Sequence, residues 1–272
     1  MRLPHLPKGY VWLRAVMLAA LALMSLSAAA ENRLAQARQR QQLLVGVERV
    51  EPPYVAGAKF RTPEGIEQML AQDLAQRLQI KLTTRRIDPA QRNNQPATDF
   101  QLLTLADNDP LYRTATVIPS GYSSGPMAIM RTDTTIKSWP QLKGRTVCVL
   151  EGGPYAGTLT AQYGAIEQHY KAPADSLLAL RTGACDAAVH ESAMLEELIK
   201  LPEWKKFSAQ LPVRSRRALV LIAPSSDAAT AHFLQQAVTD WRAKHSVQQF
   251  LTKSVRNIAF EVYLDQNVPD CH

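Results

Sequence analysis

The sequence of 272 residues lacks the short motifs that mark most cofactor sites. It has no His-Glu-x-x-His, Cys-x-x-Cys or phosphate-binding-loop pattern, the arrangements that hold zinc, a redox pair or a nucleotide. No internal repeat and no low-complexity tract occurs, and the runs of basic residues are too short to indicate a nucleic-acid-binding surface. We therefore expect no cofactor, no metal site, no nucleic-acid partner and no enzyme of these classes.

Long hydrophobic runs are also scarce. The run Ala15–Leu26 follows Arg2, Lys8 and Arg14 and precedes three alanines at 28–30, a pattern that predicts a cleavable signal peptide over residues 1–30. An uncleaved anchor is the alternative, although the run is short for a transmembrane helix. The rest of the chain has no run of membrane-spanning length and carries a mild net charge of +4. We expect export to the periplasm.

Cysteine is rare as well, with three residues: Cys148, Cys185 and Cys271. An exported protein can form a disulfide. Cys148 lies inside one predicted strand and Cys185 at the start of another, so a bridge fits if those strands are neighbours. The alternatives are two buried free thiols, or a bridge from one of them to Cys271.

The patterning of the chain predicts two α/β lobes. After a polar lead-in (31–42), the first lobe opens with a strand at Leu43–Val47, an amphipathic helix at Gly65–Ile80 and a strand at Lys81–Ile87. A second β-α-β start begins at Thr146, with partial helix expected at Ala165–Lys171. Further strands are predicted at 100–105 and 217–223, and a helix at 228–244. The tail from residue 254 is expected to be irregular, with a short strand at 259–264.

The most informative stretch runs from Leu142 to Glu191. Its first strand ends at Glu151-Gly152-Gly153, before an expected helix start, and its second ends at His190-Glu191. Because ligands of parallel sheets sit outside the carboxyl ends of the strands, the glycine turn suits an anion and the glutamate suits a cation. His190 and Glu191 do not form an acid–base pair on one atom, because consecutive strand residues point to opposite faces.

Five segments together resemble the periplasmic solute-binding proteins of ABC importers, of the polar amino-acid-binding type (extracellular solute-binding family 3). They are LLVGVERVEPPY (43–54), GIEQMLAQDLAQRLQIKL (65–82), IPSGYSSGPMAIMR (118–131), SWPQLKGRTVCVLEGG (138–153) and LRTGACDAAVHES (180–192). The resemblance implies a two-lobe periplasmic-binding-protein-like fold of type II, with mixed sheets flanked by helices and two interlobe crossovers. Lobe 1 would comprise 43–123 and 222–272, and lobe 2 would comprise 124–221.

The resemblance also implies roles for particular residues. Glu191 would accept the ligand amine, Arg113 would bind the ligand carboxylate, and the turn at Gly152, Gly153 and Pro154 would supply backbone N–H groups. Proline has no N–H, so one donor of that turn is missing. Five further positions match the family. Glu48 and Tyr54 would lie near the ligand, and Thr104 would be the remainder of a serine/threonine cluster. Some members have cysteines where Cys148 and Cys185 stand, which favours their disulfide.

On this resemblance the chain is expected to be a monomeric, non-enzymatic receptor. It would capture a small polar solute, such as an amino acid, in an interlobe cleft and deliver it to an ABC permease. One alternative is a solute-binding-like protein for sensing or partner binding, in which the tail ending at His272 docks on another protein. The other alternative is a dehydratase that uses a cleft carboxylate, as a few similar proteins do.

Overall fold

The structure is a computed structural model that describes residues 32–50, 65–88 and 97–264. The predicted signal peptide (residues 1–30), Tyr54 and Cys271 lie outside these residues. In chain order the elements are α1 (Arg33–Arg40), β1 (Gln42–Val47), α2 (Glu67–Leu78), β2 (Lys81–Arg86), β3 (Phe100–Leu105), α3 (Leu111–Thr114), β4 (Thr116–Ser124), β5 (Pro126–Met130), β6 (Thr146–Leu150), α4 (Thr158–Tyr163), β7 (Ile166–Tyr170), α5 (Pro173–Arg181), β8 (Ala187–Glu191), α6 (Ser192–Leu198), β9 (Ala209–Leu211), β10 (Arg217–Ala223), α7 (Ala228–Ala243) and α8 (Ser246–Leu264).

The strands of the described segments form two five-stranded mixed sheets, one for each lobe. The first has the order β2-β1-β3-β10-β4 and the second has the order β7-β6-β8-β5-β9. In the first sheet β1 is parallel to β2 and β3, whereas β10 is antiparallel to β3 and β4. In the second sheet β6 is parallel to β7 and β8, whereas β5 is antiparallel to β8 and β9. This matches the predicted two-lobe α/β class.

Apolar side chains on the central strands point alternately to the two faces of each sheet, and both faces are buried. In β10, Leu219 and Leu221 pack in the core under α2 and α7, while Val220 and Ile222 pack in a smaller cluster on the other face. Successive strand residues point to opposite faces, so a continuous apolar run such as RALVLIA is expected where helices or loops cover both sides. Each fully buried leucine or isoleucine stabilises the fold by about 1.5–3 kcal/mol.

Two short connections join the sheets, after β4 and before β10. The predicted boundary at 221/222 is wrong, because all of β10 from Arg217 pairs within the first sheet. The connections touch: the Arg214 N–H donates to the Pro126 carbonyl at 3.2 Å. A Cβ on Gly125 would lie 2.3 Å from the Arg214 carbonyl oxygen. Only glycine fits this crossing without a backbone shift.

The C-terminal helix α8 corrects two predictions about the tail. Residues 254–264 are helical rather than irregular with a short strand, because Val255, Ile258 and Val262 recur at helical spacing and pack in the second lobe's core. Earlier in the same helix, Phe250 packs against the first lobe's core. The prediction assigned residues 222–272 to lobe 1, whereas the described helix over 246–264 contacts both lobes.

Residues 166–170 are a strand, β7, rather than the predicted partial helix. The strand pairs in parallel with β6 along its whole length, Thr146 opposite Ile166 and Leu150 opposite Tyr170. Tertiary pairing with the neighbouring strand overrides the weak local preference of this segment.

The Cys148–Cys185 disulfide is present, with a Cα–Cα distance of 5.8 Å. Cys148 lies in β6 directly opposite Ala188 of β8, and Cys185 comes just before β8. Both cysteines are buried in the core beneath α5 and α8. The prediction of this bridge is confirmed.

Candidate functional site

The carboxyl ends of the parallel strands of both sheets face one shared cleft of about 380 Å³. Strand β10 is antiparallel, so its first residue lies at the same edge. The first lobe contributes Glu48, Arg49, Gly65, Glu67, Gln68, Arg86, Thr104 and Arg217, and the second contributes Leu150, Gly152, Gly153, Pro154 and Glu191. The described walls therefore hold three carboxylates and three guanidinium groups.

The first lobe's wall is organised around Thr104, next to the end of β3. Its hydroxyl donates a hydrogen bond to the Glu48 carboxylate, and its carbonyl oxygen accepts one from the Arg217 guanidinium at 2.8 Å. Glu48 follows β1 and Arg217 opens β10, so three neighbouring strands bring these groups together. Thr104 thus holds one anionic and one cationic group in fixed positions.

Glu191 is the charged group of the second lobe's wall. It ends β8, is half-buried, and accepts a hydrogen bond from the Tyr155 hydroxyl at 2.9 Å. The preceding residue, His190, is fully buried on the opposite face, with Nε2 2.7 Å from the Ser176 hydroxyl. The two side chains therefore diverge, as predicted, and His190 contributes to the interior of the lobe.

The turn after β6 departs from the prediction. Gly152 and Gly153 line the cleft, but helix α4 begins at Thr158, several residues after the expected start. The Gly153 N–H donates to the Leu150 carbonyl at 3.0 Å, and Pro154 has no N–H. Neither Gly153 nor Pro154 therefore offers a backbone donor to the cleft.

The amides at the start of α4 are used by an internal carboxylate, Glu167 of β7. The Gly157 and Thr160 N–H groups donate to it at 2.6 and 2.8 Å. Partial burial alone would raise the pKa of the Glu167 carboxyl, but these hydrogen bonds outweigh burial and hold the pKa below its ordinary value. Glu167 stands where a helix start would otherwise bind an external anion.

Arg113 is not among the residues that line the cleft or its two adjoining cavities with Glu191, so these cavities do not support its predicted role as carboxylate anchor. It lies exposed in the four-residue helix α3, just before β4. Thr116 of β4 pairs with Ala223, at the end of β10 far from Arg217. After β3 the chain passes through α3 into β4, the strand at the far edge of the sheet beyond β10.

Two smaller cavities adjoin the cleft. One, of about 80 Å³, is lined by Glu191 and Arg217 together with Tyr122 and Tyr155. The other is barely large enough for a water molecule and brings Ile258 of α8 to the back of Glu191. The C-terminal helix therefore supports the site from behind.

Two other chemistries can be weighed from the geometry. Residues 121–125 (GYSSG) fit the Gly-x-Ser-x-Gly pattern of serine hydrolases, which places the serine on a strand-to-helix turn. Here Ser123 lies within β4 and the next element is a strand, so this serine does not sit on such a turn. Within residues 32–50, 65–88 and 97–264, no group of His, Cys, Asp or Glu forms a metal-binding cluster.

Most of the predicted site residues that the structure describes meet in the cleft: Glu48, Thr104, Gly152, Gly153 and Glu191. Tyr54 lies outside the described residues, and Arg113 lies elsewhere. Sequence reasoning missed Arg49, Glu67, Arg86 and Arg217. Arg217 opens the apolar strand β10, and its place at the cleft follows once that strand is known to run antiparallel.

Comparison with models of protein families and with curated protein sequences finds no match. Solved structures do match. A mutant of ArgBP from T. maritima is 18% identical, with a TM-score of 0.55 over 82% of this chain and 99% of that protein. A Streptococcus pneumoniae amino acid ABC transporter substrate-binding protein bound to L-arginine is 13% identical, with a TM-score of 0.55 over 83% and 98%.

A third similar structure is the ancestral cationic amino acid solute-binding protein AncCDT-1, 15% identical with a TM-score of 0.55 over 82% of this chain and 99% of that protein. At these identities the likeness shows the fold. It confirms the predicted two-lobe, periplasmic-binding-protein-like architecture. In the part of the chain that the structure describes, no helix is long and apolar enough to cross a membrane.

Proposed function

We propose that this protein is an exported solute-binding protein that captures a small polar solute, an amino acid or a related compound, in the cleft between its lobes. The observation that carries the proposal is the cleft itself, with Glu191 on one wall and Glu48, Thr104 and Arg217 on the other. A charge taken out of water is costly unless it is paired. A cleft with both signs of charge therefore suits a solute that also carries both.

The structural neighbours support this ligand class. They include a substrate-binding protein bound to L-arginine and a protein described as a cationic amino acid solute-binding protein. Delivery to an ABC permease and location in the periplasm belong to the same proposal. They rest on these neighbours and on the predicted signal peptide over residues 1–30.

Binding would close the lobes because only a solute that touches both walls has a higher affinity for the closed state. The two connections that meet at Gly125 and Arg214 are the natural hinge. Helix α8 contacts both lobes and so must shift against one of them during closure. This is the small sliding of packed helices known from other two-domain closures.

A thermal-shift screen of amino acids, polyamines and organic acids tests the proposal. A ligand at about 100 times its dissociation constant adds about 2.7 kcal/mol to the free energy of unfolding. Glu191→Gln should abolish this gain while the free protein keeps its melting temperature. Glu203→Gln is the matched control, since Glu203 is exposed in the same lobe and lines none of the cavities described above. A screen in which no amino acid stabilises the wild-type protein would refute the proposal.

A dehydratase is the second candidate. It is favoured by the several cleft carboxylates and by the description of AncCDT-1 as a precursor of cyclohexadienyl dehydratase. Turnover of an added prephenate-like acid, lost in Glu191→Gln, would support it. Saturable amino-acid binding without turnover supports the receptor.

A further inference from the structure

Arg217 and Glu191 form a pair of opposite charges that faces both the cleft and the adjoining cavity of about 80 Å³. Arg49 and Arg86 line the larger cleft and not the smaller one. Among the described residues, Arg217 is therefore the cation that shares both spaces with Glu191. A small solute seated against Glu191 in the smaller cavity would share that space with this guanidinium and not with the other two.

Arg217 is held in position by the fold. It is the first residue of β10, and its guanidinium donates to the Thr104 carbonyl of the neighbouring strand at 2.8 Å. A guanidinium carries five N–H donors, so this bond leaves others for a ligand. None of the carboxylates in the described part of the chain forms a salt bridge with Arg217.

The opposite wall offers fewer groups that could bind an anion than the family pattern implies. Its Gly153 N–H is bonded to Leu150, its Pro154 has none, and the amides at the start of α4 are taken by Glu167. The second lobe's described wall thus presents one charged side chain, the carboxylate of Glu191. Among the residues that line the cleft, the cations that can bind an anionic group of a solute therefore lie on the first lobe. Lys171 of the second lobe lines a neighbouring cavity that Glu191 does not line.

We propose that Arg217 binds the carboxylate of the solute while Glu191 binds its amine, so that each lobe holds one charge. This inference rests on the proposed function and extends it. It assigns the carboxylate anchor to β10, in place of Arg113 and of the helix start after β6. It also defines the preferred ligand class as zwitterions, in which each lobe binds one charge, over organic acids without an amine and over amines without a carboxylate.

The test is calorimetric titration of wild type, Arg217→Gln and Arg113→Gln. The probes are the L-amino acids that stabilise the wild-type protein in the screen and their α-carboxamides, beginning with L-arginine and L-argininamide. Arg113→Gln is the matched control, because it removes the same charge from the same lobe at an exposed position. Circular dichroism checks that each variant is folded, and Arg217→Lys provides a milder variant that keeps the charge but not the planar donor fork.

We expect Arg217→Gln to weaken binding of the amino acid about tenfold or more and to leave binding of the carboxamide nearly unchanged. The preference for carboxylate over carboxamide should therefore disappear, which a general loss of structure would not produce. Arg113→Gln should keep that preference. If Arg217→Gln also keeps it while wild type binds normally, the role of Arg217 is overturned and the proposed function stands. If wild type binds no amino acid, both fail.

Discussion

Removal of the Cys148–Cys185 disulfide should destabilise the second lobe by about 3.8 kcal/mol. The two cysteines are 37 residues apart, and the chain-entropy model gives about this value for a loop of that length at room temperature. Strands β6 and β8 already hold the two cysteines close in the folded state. The bond therefore acts mainly by restricting the unfolded chain, and the reduced protein should keep its fold.

The assay is urea unfolding of the oxidised and the reduced protein in a Cys271→Ser background, so that the third thiol cannot exchange. Trp204 is buried in the same core as the disulfide, and its fluorescence reports on the second lobe. Trp241 reports on the first lobe, whose transition should move less. As a control, reductant should have no effect on a Cys148→Ala/Cys185→Ala variant. Equal unfolding free energies for the oxidised and reduced forms would refute the reasoning.

Three further perturbations test the packing around the site. Gly125→Ala should cost about 1–3 kcal/mol in urea unfolding, because its Cβ would meet the Arg214 carbonyl oxygen at 2.3 Å; an unchanged midpoint would contradict this. Ile258→Ala should cost about 2–5 kcal/mol, because Ile258 is fully buried in α8, and a loss under 1 kcal/mol would argue against the helix packing. Burial alone would raise the pKa of the Asp227 carboxyl, but hydrogen bonds from Thr230 and from the Arg33 N–H outweigh burial and hold the pKa below its ordinary value of 3.8. Asp227 therefore stabilises the fold fully above about pH 4, and this stabilisation is lost as the pH falls further. Asp227→Asn should make the unfolding free energy less dependent on pH in this acid range, and an unchanged dependence would count against this.

The sequence predicted cleft residues best where those residues lie at the ends of strands. Glu48, Thr104 and Glu191 each lie at or next to the carboxyl end of a strand in a βα unit, and parallel strands place those ends at one edge. The strand bounds at 100–105 and 217–223 were also predicted correctly. These strands are apolar enough that local pattern and burial agree.

The prediction failed where the outcome depends on long-range pairing. Arg113 was chosen by its match to a family pattern, but it lies just before β4, which pairs with β10 at the far edge of the sheet. Arg217 needed knowledge that β10 runs antiparallel, which its own residues do not reveal. The helical spacing of Val255, Ile258 and Val262 was visible in the sequence, and the tail was nevertheless misread as irregular.

The central claim is that a single solute contacts both walls of the cleft. The most direct measurement is calorimetric titration of the most stabilising amino acid into wild type, Glu48→Gln and Glu191→Gln. Hydrogen bonds to charged groups contribute about 1.5–3 kcal/mol each, so each variant should lose about tenfold or more in affinity at unchanged one-to-one stoichiometry. Wild-type affinity in Glu191→Gln would contradict the claim, because Glu191 is the charged group on the second lobe's wall. Wild-type affinity in Glu48→Gln would exclude Glu48 as a contact and leave Arg217 as the first lobe's anchor.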